Sequence, residues 1–97
     1  MLHINMLLSK IKREIEILKR HMNILRILGN RGPLGIIKLS KITKVPPQQV
    51  RYSLRVLQEA GFLQPTTKGA KLNQKAINFI KNWKNEKKKL ENIINRI

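Results

Sequence analysis

Glycine and proline residues divide this chain into short segments, and this division constrains the fold more than any other feature. The interruptions fall at Gly32-Pro33-Leu34-Gly35, Pro46-Pro47, Gly61 and Gly69. Proline lacks a backbone N–H and clashes with a preceding helical turn, and glycine readily adopts the positive φ angles that end helices and close hairpins. The division predicts three helices, a β-hairpin and a fourth helix, in that order.

Apolar side chains recur at helical spacing at both ends of the chain. From Ile4 onward they alternate in steps of four and three, and this pattern continues to residue 28. It predicts either one long helix or two helices with a break near residues 19–21, ending at Gly29 or Gly32. A similar pattern from Ala76 to Ile97 predicts a last helix, for which Asn73 can supply the N-cap.

The middle of the chain predicts shorter elements. A second helix is expected from about Gly35 to Thr43, and a third from Pro47 to about Ala60, with Gly61 as its C-terminal cap. Two short strands are expected at 62–65 and 70–72, joined by a turn at 66–69. The expected fold class is therefore mainly α with a small β-hairpin. We divide the single domain into an N-terminal helical arm (1–19), a core (20–73) and a C-terminal helix (74–97).

The charge balance predicts a polyanionic partner. The chain has 21 Lys and Arg residues against five Glu and no Asp, for a formal net charge of +16. Since 41% of the residues are hydrophobic, a folded domain is favoured over a disordered basic tail. Nucleic acid and an anionic membrane surface are the two candidate partners. Glu14 and Glu16 interrupt the basic residues of the first helix, which argues against the membrane.

Several functions lack the residues they need. With no Cys, disulfides and thiolate metal sites are excluded, and the isolated His3 and His21 form no metal set. Paired carboxylates, a phosphate-binding loop and a nucleophile motif are absent from the sequence, so we expect no enzymatic activity and no cofactor. Apolar runs are too short to span a membrane, and no signal peptide is recognised. The expected location is cytoplasmic, in association with the nucleoid.

Three stretches of sequence resemble a known family. They are Ile24-Leu25-Arg26-Ile27-Leu28 ahead of Gly32-Pro33, the run from Leu39 to Pro46, and the run from Val50 to Leu63 with its Glu59-Ala60-Gly61. Together with Gly69-Ala70-Lys71-Leu72-Asn73, they resemble the winged helix-turn-helix transcriptional regulators of the ArsR and MarR type and their small archaeal relatives, over residues 20–80. The sequence departs from the family in having Lys44 where Gly is frequent and Pro46 where a Ser or Asp cap is frequent.

The resemblance implies that the third helix enters the DNA major groove and that the hairpin is the wing. Val50, Leu54 and Leu57 share one face of the third helix, so the opposite face is predicted to face the bases. The predicted base-reading residues are Gln48, Gln49, Arg51, Tyr52 and Arg55. The predicted contacts to the DNA backbone, including the wing, are Arg31, Lys38, Lys41, Lys44, Thr66, Thr67, Lys68 and Lys71. An ordinary solvated helix face is the alternative interpretation.

The apolar seams at the two ends exceed what the core of a small domain needs. They predict a homodimer, as the resemblance also implies. The predicted interface residues are Ile4, Leu8, Ile11, Ile15, Leu18, Ile80, Trp83, Leu90, Ile94 and Ile97. The alternative is that the two end helices pack only on each other within one chain.

The sequence therefore predicts a transcriptional regulator that binds double-stranded DNA sequence-specifically as a homodimer. One alternative is an architectural chromatin protein that coats DNA without reading its sequence, which the charge of +16 favours. A second is association with RNA or ribosomes. Only four residues of the chain are Phe, Trp or Tyr, too few to favour a surface that stacks RNA bases.

Overall fold

The computed structural model describes residues 2–97, which form four α-helices and one antiparallel hairpin. The predicted mainly helical fold with a small β-hairpin is confirmed. The elements are α1 (Leu2–Arg31), α2 (Ile36–Thr43), α3 (Pro47–Glu59), β1 (Leu63–Thr66), β2 (Gly69–Leu72) and α4 (Gln74–Asn95).

The first helix is uninterrupted, so the alternative with a break near residues 19–21 is not the one adopted. Residues 2–28 contain neither Gly nor Pro, and Lys and Arg favour helix, so nothing in this stretch disfavours continuation. The helix ends where Gly32 adopts a φ of 77° and donates its N–H to the Leu28 carbonyl at 3.0 Å. Thirty helical residues make α1 a rod of about 45 Å.

The α2–α3 turn is held by side chains that bond to the backbone. Ser40 Oγ donates to the Val45 carbonyl at 2.6 Å, and Thr43 Oγ1 accepts the Val45 N–H at 3.2 Å. Between them, Lys44 occupies the left-handed conformation, with φ 59° and ψ 30°. The turn therefore places a residue with a Cβ in a conformation that glycine adopts most readily. Pro47 begins α3, as predicted.

The first strand lies one residue later than predicted, and the second begins one residue earlier. At the end of α3, the Gly61 N–H bonds to the Gln58 carbonyl and the Phe62 N–H to the Leu57 carbonyl, so Phe62 belongs to the helix cap rather than to a strand. Thr66 pairs with Gly69 in the β1–β2 register, which reduces the turn to Thr67-Lys68. The predicted strands at 62–65 and 70–72 and the four-residue turn were wrong by these residues.

Two further contacts fix the hairpin on the helices. Leu34, in the extended segment after α1, forms a β-bridge with Ala70 through two backbone hydrogen bonds of 3.0 and 3.2 Å. Asn73 caps α4 by accepting the Ala76 N–H through its side-chain oxygen at 3.0 Å, as predicted. The hairpin is therefore tied to the end of α1 and the start of α4.

The core draws on all four helices and on β2. Its buried apolar residues are Met22, Ile24, Leu25, Leu28, Leu39, Val50, Leu57, Leu72 and Ala76. The residues in or packed against this core run from Leu18 to Trp83, and we call residues 18–83 the body and residues 2–17 and 84–97 the outer segments. The Cα radius of gyration is 15.2 Å, against about 13 Å for a compact chain of this length, because the outer segments project from the body.

Candidate nucleic-acid interface

The outward face of α3 carries all five predicted base-reading residues. Val50, Ser53 and Leu57 are buried on the opposite face, and Leu54 is half-buried. The exposed side chains are Gln48, Gln49, Arg51, Tyr52 and Arg55. This face offers two guanidinium groups and two amides, the groups that bond best to purine edges in the major groove. It carries no acidic residue before Glu59, at the end of the helix.

Tyr52 lies between two arginines on this surface. The guanidinium carbon of Arg55 is 5.6 Å from the centroid of the Tyr52 ring, and that of Arg20 is 5.9 Å away. Cations at this distance from an aromatic face are attracted to it, which limits the rotamers that all three side chains sample. Arg20 comes from α1, so the first helix reaches the surface of the third.

A buried hydroxyl joins α1 to α3 beneath Tyr52. Ser53 is fully buried, and its Oγ accepts a hydrogen bond from Arg20 Nε at 2.8 Å. The His21 Nδ1 lies 2.8 Å from the same oxygen. Because Arg20 can only donate, the Ser53 hydroxyl accepts from Arg20 and is free to donate to a neutral His21. Partial burial and the Arg20 charge both lower the pKa of His21, which favours this neutral form.

The sequence patterns missed this junction. Ser53 falls between Val50 and Leu57 on the inward face of α3, and a polar residue at such a position signals a partner within the core. Arg20 also bonds through Nη1 to Gln49 Oε1 at 3.3 Å. No sequence pattern pairs Arg20 with Gln49, because the two residues are 29 positions apart. The structure thus adds Arg20 to the residues at this surface.

A basic groove continues from Arg20 along α1. The groove has a volume of about 390 Å³ and lies between α1 and Val45 of the α2–α3 turn. Its α1 lining residues are Glu16, Lys19, Arg20, Asn23 and Arg26. Three cations against one carboxylate give the groove a net positive charge, suited to a phosphate group.

The predicted backbone contacts are all exposed, although they lie on separate elements. Lys38 and Lys41 are on α2 and Arg31 ends α1, while the others lie on the α2–α3 turn and the hairpin. At the hairpin tip, the Lys68 N–H donates to Thr66 Oγ1 at 3.1 Å, and Thr66 Oγ1 donates to the Gly69 carbonyl at 2.6 Å. The tip is therefore ordered by its own threonine, and the Lys68 side chain remains free to bind.

The charges of the chain are segregated between the body and the outer segments. The body contains 13 of the 21 Lys and Arg residues but only one of the five Glu residues, Glu59. The outer segments carry the other eight basic residues together with four Glu, of which Glu14 and Glu16 are on α1. The positive potential is consequently strongest around the body, where α3 and the hairpin lie.

The outer segments expose two apolar stripes. Ile11 and Ile15 on α1 are 44% and 48% exposed, and Leu90 and Ile94 on α4 are 44% and 54% exposed. The stripes converge on a groove of about 400 Å³ between α1 and α4, which Ile15, Leu90 and Ile94 line together with Leu18, Met22 and Trp83. Although α1 and α4 lie side by side, both stripes remain about half exposed to water.

The predicted dimer residues divide into two groups by burial. Leu18, Ile80 and Trp83 are half-buried and pack against the core of their own chain. Ile4, Leu8 and Ile97 are exposed, as are the four residues of the converging stripes. Trp83 also continues a row of aromatic rings, since its centroid is 6.1 Å from that of Phe79, which lies 4.9 Å from Phe62. This row holds α4 against the start of the hairpin.

Residues 2–97 contain no group of three His, Asp or Glu side chains that could hold a metal ion. Over the same residues, no helix is both long and apolar enough to cross a membrane. Comparison of the chain with models of known protein families and with curated protein sequences finds no match.

Proposed function

We propose that this protein is a winged-helix transcriptional regulator that binds double-stranded DNA as a homodimer and reads base sequence through α3. The observation that carries the proposal is the outward face of α3, which combines two arginines, two glutamines and a tyrosine within a body almost free of acidic residues. The order of α2, turn and α3, the hairpin after α3 and the exposed lysines of α2, the turn and the hairpin support it.

The dimensions of the elements are compatible with duplex DNA. A 13-residue helix is about 20 Å long, and the major groove is about 12 Å wide and admits one helix. With α3 in this groove, the lysines of α2 and the hairpin are available for flanking phosphates, which position the protein without reading sequence. If about eight such contacts form, log affinity falls with log salt at a slope near −7.

The outer segments support a homodimer. Their exposed apolar stripes would be costly in water, and a second copy covers them without introducing a different partner. Since four of the five Glu residues lie there, two copies meet where the net positive charge is least concentrated. A two-fold dimer predicts an operator with two symmetric half-sites about one helical turn apart. Such a protein would act in the cytoplasm, at the nucleoid.

Selection from a random duplex-DNA library at near-physiological salt tests the proposal. An enriched palindromic motif is the expected result and identifies the operator. In that motif, Arg55→Ala should relax preference at one position by about 1–3 kcal/mol, whereas Lys68→Ala should weaken binding to all sequences equally. Identical behaviour of the two variants would reject base reading by α3.

The architectural alternative is favoured by one observation, the net charge of +16 spread over many elements beyond α3. It predicts tight duplex binding with steep salt dependence and no enriched motif. A preference for structured RNA over duplex DNA in direct competition would reject both forms of DNA binding.

A further inference from the structure

Arg20 is the one α1 side chain shown to bond to an outward-facing residue of α3. Its guanidinium is fixed by three contacts, in which Nε donates to Ser53 Oγ at 2.8 Å, Nη1 donates to Gln49 Oε1 at 3.3 Å, and the guanidinium carbon lies 5.9 Å from the Tyr52 ring centroid. Since Ser53 is fully buried, Arg20 is anchored to the body rather than free in solvent. The arginine is therefore placed to orient the side chains beside it.

The contact with Gln49 determines which end of its amide points away from α1. A guanidinium group has donors and no acceptor, so only the amide oxygen of Gln49 can face Arg20. The amide nitrogen of Gln49, with its two hydrogens, is then directed away from Arg20, and Gln49 itself is exposed. Arg20 thereby turns a side chain with two equivalent orientations into one that presents a donor.

We propose that Arg20 is a specificity-determining residue of the DNA-binding surface, which acts by holding Gln49 with its amide N–H groups directed at the bases. The inference rests on the proposed function, because it requires α3 to lie in the major groove. Free glutamine prefers adenine, for which it uses its oxygen and its nitrogen together. With its oxygen engaged by Arg20, Gln49 selects base edges that offer an acceptor, which are N7 of either purine, guanine O6 and thymine O4, and it rejects cytosine.

Two variants separate this role from a general loss of charge. Arg20→Ala releases the Gln49 amide, and we expect the position read by Gln49 to change from any base with a major-groove acceptor to adenine, with the ratio of adenine to guanine binding raised about tenfold. Arg26→Ala is the matched control, because it removes one exposed cation from the same helix and groove without contacting Gln49. It should reduce affinity and salt dependence while leaving the motif unchanged.

Gln49→Glu tests the same contact with the α1–α3 anchor intact. The carboxylate keeps an acceptor for Arg20, and its second oxygen replaces the outward donor with an acceptor. Preference at that position should move to cytosine, which offers its amino group in the major groove. This variant decides the question if Arg20→Ala does not fold, as judged by circular dichroism at the selection temperature.

The experiment is library selection with the wild-type chain and the three variants, each scored position by position. Changes confined to one motif position in Arg20→Ala and Gln49→Glu, and absent in Arg26→Ala, are the expected result. An unchanged motif in both, or equal weakening at every position, would overturn the role of Arg20 while leaving the proposed function intact. Failure of the wild-type chain to enrich any motif would instead reject sequence reading itself, and with it the inference.

Discussion

At the scale of single residues, the polar junction of Arg20, His21 and Ser53 explains how a surface side chain is fixed by a buried one. A fully buried hydroxyl must have a hydrogen-bond partner, and here two residues of α1 supply it. The apolar residues of α3 recur on one face of the helix, so the sequence indicated that the opposite face points outward. It could not indicate the junction, since hydrogen bonds between residues 32 and 33 positions apart have no periodic signal.

The junction predicts that stability depends on pH through His21. Burial and the neighbouring Arg20 charge lower the pKa of His21 in the folded chain below the ordinary value of about 6.5. The unfolded chain therefore takes up the proton more readily, so the free energy of unfolding is highest above that value and falls as the pH drops through it. We expect the urea midpoint to be lower at pH 5.5 than at pH 7.5.

His21→Asn should reduce this pH dependence, because Asn keeps an oxygen acceptor for the Ser53 hydroxyl but does not titrate. His3→Asn is the control, since His3 is exposed near the start of α1. Equal pH slopes for wild type and His21→Asn between pH 5.5 and 7.5 would contradict the assignment to His21.

At the scale of elements, the boundaries that the sequence predicted well are those fixed by local chemistry. Asn73 caps α4, Pro47 begins α3 and Gly61 ends it, because each depends on the conformation of one residue. The predicted strand bounds were wrong by one residue, because hydrogen bonds at the two ends of the hairpin decide them. The Phe62 N–H closes α3 by bonding to the Leu57 carbonyl, and Thr66 pairs with Gly69, which leaves a turn of only two residues.

The α2–α3 turn predicts opposite effects of one substitution on stability and on DNA binding. Lys44 has a φ of 59°, a conformation that is unfavourable for residues with a Cβ. Lys44→Gly removes this strain, partly offset by the greater freedom of glycine in the unfolded chain, and should stabilise the protein by about 0.5–1 kcal/mol. If Lys44 binds a phosphate, the same variant should reduce the salt slope of DNA binding by about 0.9.

Lys41→Ala is the control for this variant, because it removes an exposed charge from α2 at an ordinary helical position. It should change stability by less than about 0.5 kcal/mol. Thermal unfolding and salt titrations of DNA binding measure the two effects separately. A Lys44→Gly protein with lower stability than wild type would refute the strain argument, and an unchanged salt slope would remove Lys44 from the phosphate contacts.

The hairpin predicts that Gly69 tolerates no side chain. Its φ is 120°, and a Cβ there would overlap the Leu34 carbonyl group and the Gly35 nitrogen. Gly69→Ala should therefore break the Leu34–Ala70 bridge and lower the free energy of unfolding by more than about 2 kcal/mol. Gly35→Ala is the comparison, since its Cβ would meet no atom within 4 Å, and should cost less than about 1 kcal/mol. Similar urea midpoints for the two variants would contradict the close approach.

At the scale of the whole molecule, the sequence predicted the order of elements but not their mutual placement. The seam from Ile4 to Leu25 is continuous in sequence, yet the structure buries only its second half and leaves the first half in solvent. Periodicity identifies a helix face without saying what covers it. The same limit applies to Ile80 and Trp83, which continue the seam of α4 but pack against their own core.

The exposed stripes predict the last result, a dimer that depends on the outer segments. In a two-fold interface both copies carry each substitution, so Ile94→Glu buries two charges and should raise the dimer dissociation constant at least a hundredfold. Ile37→Glu is the control, because Ile37 is 61% exposed on α2, away from both stripes. Sedimentation equilibrium should give twice the 11.3 kDa chain mass for wild type and Ile37→Glu, and the chain mass for Ile94→Glu.

On DNA, the Ile94→Glu monomer should bind a single half-site with wild-type base preference and lose the affinity gained from the second half-site, because α3 lies in the body and is untouched. A wild-type monomer would mean that the stripes serve another partner and that the operator need not be symmetric, whereas a dimer that survives Ile94→Glu would mean that its interface lies elsewhere.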